Sequence, residues 1–214
     1  MSKVFTPVAR SPLAHLELGK RARKQDERCA VWANELPVGG YISLRGEATD
    51  AAFLQAVAGV LGGALPTVPC TFALLPKAEA LWLGPDEWML LCAHKDVAAL
   101  VAALEGALAG IHHQVADNSG GYTRVTLRGS KAATALAHVS VYDYASLAEG
   151  RVVGSTFGKS SAYIRRDGEG YLVLFRRSFA EYIWKYLERA ATPYGFGVCT
   201  LEPASAPARA KVAA

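Results

Sequence analysis

Apolar and polar residues alternate along Tyr41-Ile-Ser-Leu-Arg45, which predicts a strand with one covered face, and Gly46 ends it before Thr49 or Asp50 can cap a helix. In that helix Phe53, Leu54, Val57, Val60 and Leu61 recur at helical spacing until Gly62-Gly63 stops it. Three apolar runs follow, Cys70–Leu75, Ala80–Leu83 and Glu87–Cys92, the last two joined by a Gly84-Pro85-Asp86 turn, and all three predict strands. Asp96 is placed to cap a second helix whose apolar face is Val97, Leu100, Val101, Leu104 and Leu108, and Ile111–Ala116 predicts a closing strand.

The series then starts again. Tyr122–Leu127 is a strand, Gly129-Ser130 a turn and cap, and Ala133, Leu136 and Ala137 mark a short, alanine-rich helix. Thr156–Ile164 and Tyr171–Phe175 predict strands, the second preceded by the turn Asp167-Gly-Glu-Gly170. Ser178 with Glu181 forms a capping-box pattern before a helix facing inward through Ile183, Trp184 and Leu187; Pro193 ends it, and Tyr194–Leu201 closes the series. The two series match at a constant offset of 83 residues, from Ile42/Val125 and Gly46/Gly129 through Trp88/Tyr171 to Leu104/Leu187. Strand, helix, strand, strand, helix, strand is the order of a ferredoxin-like module. The fold class expected is therefore α+β: two repeated ferredoxin-like βαββαβ modules, residues 39–117 and 118–201, joined near Asn118–Gly121 and packed together by the sheet faces their helices leave free.

Residues 1–38 lack this periodicity and contain three prolines and the mixed basic run Lys20–Arg28, so they are expected to form an N-terminal arm laid over the domain or over another chain. A Pro/Ala-rich tail, 202–214, is expected to be flexible. With 51% apolar residues the 214-residue chain can bury a substantial core. A net charge of +4 without a basic block argues against nucleic acid, and no apolar run is long enough for a membrane span. The N-terminus lacks a secretory pattern, which makes the cytoplasm the expected location. Cys29, Cys70, Cys92 and Cys199 are widely spaced, so they fit small hydrophobes better than a metal or redox set.

Catalytic chemistry is poorly represented. None of the five histidines stands in an H-E-x-x-H pattern, and adjacent His112 and His113 point to opposite sides of a strand. Asp86 and Glu169 share a hairpin-turn position, while Asp117 precedes the bend at the module join, where it can bond local backbone. No glycine-rich loop has the spacing of a phosphate cradle, and no serine stands in a G-x-S-x-G context. Arg45 and Arg128 end equivalent strands and are expected to make structural salt bridges there. What remains is a candidate partner surface: Arg165, Arg166, Arg176 and Arg177 flank strands of the second module where the first has Trp82, Leu83, Ala93 and His94, with Trp32 and Tyr182 as possible aromatic anchors. No catalytic, cofactor-binding or metal-binding residue is assigned.

Asp117-Asn-Ser119, Tyr122-Thr-Arg-Val-Thr-Leu-Arg-Gly129, Val141-Tyr-Asp-Tyr144 and above all Gly168-Glu-Gly-Tyr-Leu-Val-Leu-Phe-Arg-Arg-Ser-Phe-Ala-Glu-Tyr-Ile-Trp184 carry a family likeness. Over about residues 40–199 the chain resembles the gamma subunits of heterotetrameric sarcosine oxidase, within the wider folate-binding fold of glycine-cleavage aminomethyltransferase. That resemblance implies an accessory chain packed mainly against alpha in a complex with alpha, beta and delta subunits that oxidatively demethylates sarcosine to glycine. FAD, FMN and NAD would belong to the alpha and beta chains, zinc to delta and tetrahydrofolate to alpha, with no cofactor on this chain. The K-G-C-x-x-G-Q motif of stand-alone folate-dependent relatives is missing. Two other readings stay open: a free tetrahydrofolate-binding transfer or repair protein, and an enzyme using Asp117 or His112.

Overall fold

A computed structural model describes residues 8–201. In chain order the elements are α1 (Leu18–Arg21), β1 (Val31–Glu35), β2 (Gly39–Gly46), α2 (Ala51–Leu61), β3 (Phe72–Leu74), β4 (Glu79–Gly84), β5 (Glu87–Ala93), α3 (Val97–Ala107) and β6 (His113–Asp117). They continue with β7 (Tyr122–Arg128), α4 (Ala132–Ala137), β8 (Val152–Phe157), β9 (Ser160–Asp167), β10 (Gly170–Arg176), α5 (Ala180–Ala191) and β11 (Phe196–Val198). One sheet has the strand order β3-β4-β5-β2-β6 and the other β11-β1-β7-β10-β9-β8.

The chain stacks as helix, sheet, sheet, helix. Phe53, Val57 and Leu61 of α2 and Leu100 and Leu104 of α3 bury against Ile42, Leu44, Trp88 and Leu90 on one face of the first sheet. Ala135 and Leu136 of α4 and Ile183, Trp184 and Leu187 of α5 do the same against Val125, Leu127, Tyr171 and Val173 of the second. The opposite faces meet through Tyr41, Leu81, Met89 and Leu91 on one side and Val152, Leu172 and Leu174 on the other. At one edge the sheets are also stitched by backbone, with Val152 N–H donating to the Cys70 carbonyl (3.0 Å) and Phe72 N–H to that of Gly150 (3.2 Å).

Local chemistry accounts for several boundaries. The Asp50 carboxylate accepts from Ala52 N–H at 2.8 Å, and Gly62 at φ 81° closes α2 in the left-handed conformation. Asp96 precedes α3 without a side-chain capping bond. The capping box expected of Ser178 and Glu181 does not form: Arg177–Phe179 is a 3₁₀ turn, α5 starts at Ala180, and Glu181 instead pairs with Lys185 at 2.5 Å. The single strand expected over Thr156–Ile164 is a hairpin, because Gly158 turns the chain at φ 58° between β8 and β9.

The largest departure concerns the arm. Val31–Glu35, expected within it, is β1, an interior strand paired antiparallel to β7 and parallel to β11. Leu13 and Leu18 are buried in the second core as well. Its alternation was hidden because both sides of β1 are covered: Val31 and Ala33 join the helix-side core, while Trp32 and Asn34 are buried on the other side. The flexible tail expected at 202–214 lies outside the described residues, as do residues 1–7.

Candidate functional site

The structure does not bring the candidate surface residues into one patch. β9 and β10 run antiparallel, with Arg166 opposite Tyr171 and Ala162 opposite Phe175. Arg165 and Arg166 therefore lie at one end of β10 and Arg176 and Arg177 at the other, about 17 Å apart at the rise of an extended strand.

Two of the expected surface residues are interior. Arg165 is 8% exposed. Its guanidinium forks onto both oxygens of Glu79 (Nη2 to Oε2, 3.1 Å), donates to Asp167 at 3.0 Å and to the Arg166 carbonyl at 2.6 Å, and lies 4.7 Å from the Phe72 ring centroid. Burial alone lowers its pKa, but Glu79 and Asp167 outweigh that and hold it above the ordinary arginine value. Arg165 thus fastens β9 to β4 across the seam between sheets. Trp32, 2% exposed, donates its indole N–H to the Cys29 carbonyl at 2.8 Å, under the Arg23 guanidinium at 4.9 Å, because β1 is an interior strand. Both are corrections to the surface set expected from sequence.

The other four retain access to solvent. Arg166 is half-buried over the Tyr171 ring (5.0 Å), Arg176 is exposed over Tyr122 (4.6 Å), and half-buried Arg177 donates to the Arg10 carbonyl at 2.9 Å. Tyr182 is 39% exposed, packs on Tyr186 at 5.8 Å between centroids and accepts from Lys159 N–H at 3.1 Å. Sequence reasoning missed Arg124. It shares the inter-sheet face of β7 with Tyr122, and its Nε is buried without an acceptor. The signal was its pairing, at the repeat offset, with Tyr41, which faces the other sheet.

Of the groups considered for catalysis, Asp117 has structural partners and His112 lies open to solvent. Asp117 accepts from Ser119 N–H at 2.8 Å, making the turn between β6 and β7, where Asn118 donates to Ser43 Oγ (2.7 Å) and Ser119 Oγ accepts from Tyr41 N–H (3.1 Å). His113 bonds the Ile111 carbonyl through Nδ1 at 2.7 Å and faces Glu105 at 3.3 Å; its neighbour His112 is exposed in an open groove with Arg45, Glu47 and Asp86. Arg45 and Arg128 make the turn salt bridges expected of them, to Asp86 at 2.8 Å and Asp167 at 3.1 Å. All four cysteines are free, and burial raises the thiol pKa of Cys92 and Cys199. Among the described residues no three His, Cys, Asp or Glu side chains cluster as metal ligands, and no helix is long and apolar enough to cross a membrane.

Compared with known families, residues 45–193 match the model of the sarcosine oxidase, gamma subunit family. The chain belongs to that family. Among its relatives, the sarcosine oxidase subunit gamma of Corynebacterium sp. (strain U-96) is 30% identical over 194 residues, spanning 88% of this chain and 93% of that one. A chain in the structure of heterotetrameric sarcosine oxidase from Corynebacterium sp. U-96 in complex with pyrrole 2-carboxylate superposes with a TM-score of 0.77 at 27% identity, over 92% of this chain and 99% of that chain. An aminomethyltransferase of Herpetosiphon aurantiacus is 32% identical over 120 residues, which is 54% of this chain but only 33% of that enzyme. The glycine cleavage aminomethyltransferase T of Bartonella henselae shares the fold, with a TM-score of 0.62 at 16% identity over 88% of this chain and 58% of that one. This member of the gamma family thus has a mixed α/β fold related to that of the aminomethyltransferases. Gly168–Trp184, the longest segment of the likeness, is the turn into β10, β10 itself and the first part of α5.

Proposed function

We propose that this chain is the accessory gamma subunit of a heterotetrameric sarcosine oxidase, stabilising a complex that demethylates sarcosine oxidatively to glycine. The observation that carries this reading is the near end-to-end fit to a chain of such an oxidase, over 92% of this chain and 99% of that one. FAD, FMN, NAD, zinc and tetrahydrofolate then belong to alpha, beta and delta partners, with alpha the principal contact and the cytoplasm the site of assembly. The strand orders support a duplicated ferredoxin-like scaffold: β6-β2-β5-β4 in the first sheet has as its counterpart β11-β7-β10-β9, with β1 wedged between β11 and β7. Arg166, Arg176, Arg177 and Tyr182 are the surface residues offered to partners.

Tagging the chain in its native cell and identifying what copurifies tests the proposal. The expected result is a larger flavin-containing chain and sarcosine-dependent peroxide production by the complex, with neither flavin absorbance nor turnover in the isolated chain. Purification of this chain alone, as a stable monomer, would refute it. The local likeness to an aminomethyltransferase favours one alternative, a stand-alone tetrahydrofolate-binding transfer protein. Calorimetric titration of the isolated chain with tetrahydrofolate separates the two, since micromolar binding belongs to the alternative alone.

A further inference from the structure

We infer that Arg124 and Arg176 form a seat for a carboxylate side chain of the larger partner subunit, an inference that rests on the subunit role proposed above. The two arginines are diagonal neighbours on the inter-sheet face, since Arg124 pairs with Leu174 and Tyr122 with Arg176 across β7 and β10. Diagonal side chains on adjacent strands start about 7 Å apart, within joint reach of one carboxylate. Tyr122 supports them, with Arg176 stacked on its ring at 4.6 Å and Tyr41 packed beside it at 5.9 Å. The repeat equivalents of Tyr122 and Arg176 are Gly39 and Ala93, which also pair with each other. One module therefore presents aromatic and cationic groups at this end of the sandwich and the other nearly bare backbone. A Cβ placed on Gly39 would lie 3.4 Å from Arg124 Nη2 and 3.5 Å from the Tyr41 hydroxyl, so the Arg124 guanidinium packs against Gly39 at ordinary contact distance.

Among the described residues these cations make no ion pair. Arg45, Arg128 and Arg165 each hold an Asp or Glu, whereas among the described residues no carboxylate comes within salt-bridge distance of Arg124, Arg176 or the adjacent Arg177. Glu35, whose charge reaches Tyr41, already has its oxygens on Ser11 and Thr123; Glu87, whose charge reaches Tyr122, makes no ion pair with either arginine. Arg124 Nε is buried, but the residue is only half-buried, so contact with a docking partner falls to its terminal nitrogens. A guanidinium fork fits a carboxylate in two-point geometry, and an acidic side chain from another subunit, docking on the exposed side of Arg176, supplies the counter-charge.

The test uses the larger chains recovered with the tagged wild-type protein and compares Arg124→Gln, Arg176→Gln and the double variant with wild type. Each single variant is expected to weaken the complex about tenfold or more and to flatten its salt dependence, while Arg176→Lys keeps part of the affinity. Arg45→Gln, an exposed arginine already paired with Asp86, leaves binding unchanged. Because the cations make no internal ion pair, the melting temperature of the isolated variants should not fall; a large fall would make them structural and overturn the inference. It is also overturned if the double variant binds with wild-type affinity and salt slope, which would leave the subunit role intact. Stabilisation of the isolated protein by citrate, lost in the double variant while partner affinity is unchanged, would assign the seat to a free carboxylate instead. Failure of the wild type to recover any larger chain would remove the subunit role itself, and the inference with it.

Discussion

At the scale of single residues, glycines at two strand ends work for different reasons. Gly46 leaves room for the Phe53 ring, whereas Gly129 has φ 104° and a Cβ there would strike the Ala30 carbonyl just before β1. Gly129→Ala should therefore be the more damaging change, by about 1–3 kcal/mol of backbone strain in denaturant unfolding. Likewise Arg45–Asp86 and Arg128–Asp167 are part-exposed turn contacts worth about 1 kcal/mol or less, while Arg165–Glu79 is enclosed. Glu79→Ala leaves the Arg165 charge in the seam with only Asp167, and is expected to cost about 3 kcal/mol; replacing both partners by apolar residues should cost much less. Chevron or equilibrium urea data on the three proteins give the comparison. Tyr41 supplies a pH dependence. Burial, opposed by Arg124, pushes its phenol from 10.0 up to about 12. Its contribution is complete below pH 10 and is lost between pH 10 and about 12, because the unfolded chain ionises first. Tyr41→Phe should flatten the fall in urea stability over that window, and an unchanged slope would assign it to the other buried tyrosines.

At the scale of elements, β1 is where sequence pattern and structure part. A five-residue strand covered on both sides carries no period-two signal, and its neighbours in sequence are irregular, so Val31–Glu35 was legible only as part of an arm. Its position gives the arm a cost of removal that a surface cover would not have. Deleting residues 1–38 should leave β11 without a neighbour and unfold the second sheet, seen as loss of near-ultraviolet circular dichroism. Trp32→Ala alone should cost about 3–5 kcal/mol. The helices show the opposite relation. Their inward faces were legible from spacing, since each buries a continuous stripe, Phe53, Val57 and Leu61 in α2 and Ile183, Trp184 and Leu187 in α5. Caps were less legible, because Ser178 and Asp96 sit where a preceding 3₁₀ turn already orients the first N–H groups, and the side chains are not needed.

At the scale of the whole molecule, the seam between the two sheets decides which charges are paired internally and which stay open to solvent. Arg165 and Arg176 are alike in sequence, each beside a second arginine at a strand end, yet one is enclosed by Glu79 and Phe72 and the other is open over Tyr122. Nothing within 20 residues of Arg165 announces Glu79, which lies 86 positions away. The sequence by itself determined most of the strands and helices, their inward faces and the family likeness, because these depend on local periodicity and on motifs contiguous along the chain. Only the tertiary structure decided that β1 belongs inside the second sheet, that Trp32 and Arg165 are interior, and that Arg124 and Arg176 are diagonal neighbours across β7 and β10. Each of those facts depends on which sheet faces lie against one another, and face-to-face packing is chosen by burial over the whole molecule, not by the neighbours of a residue in the chain.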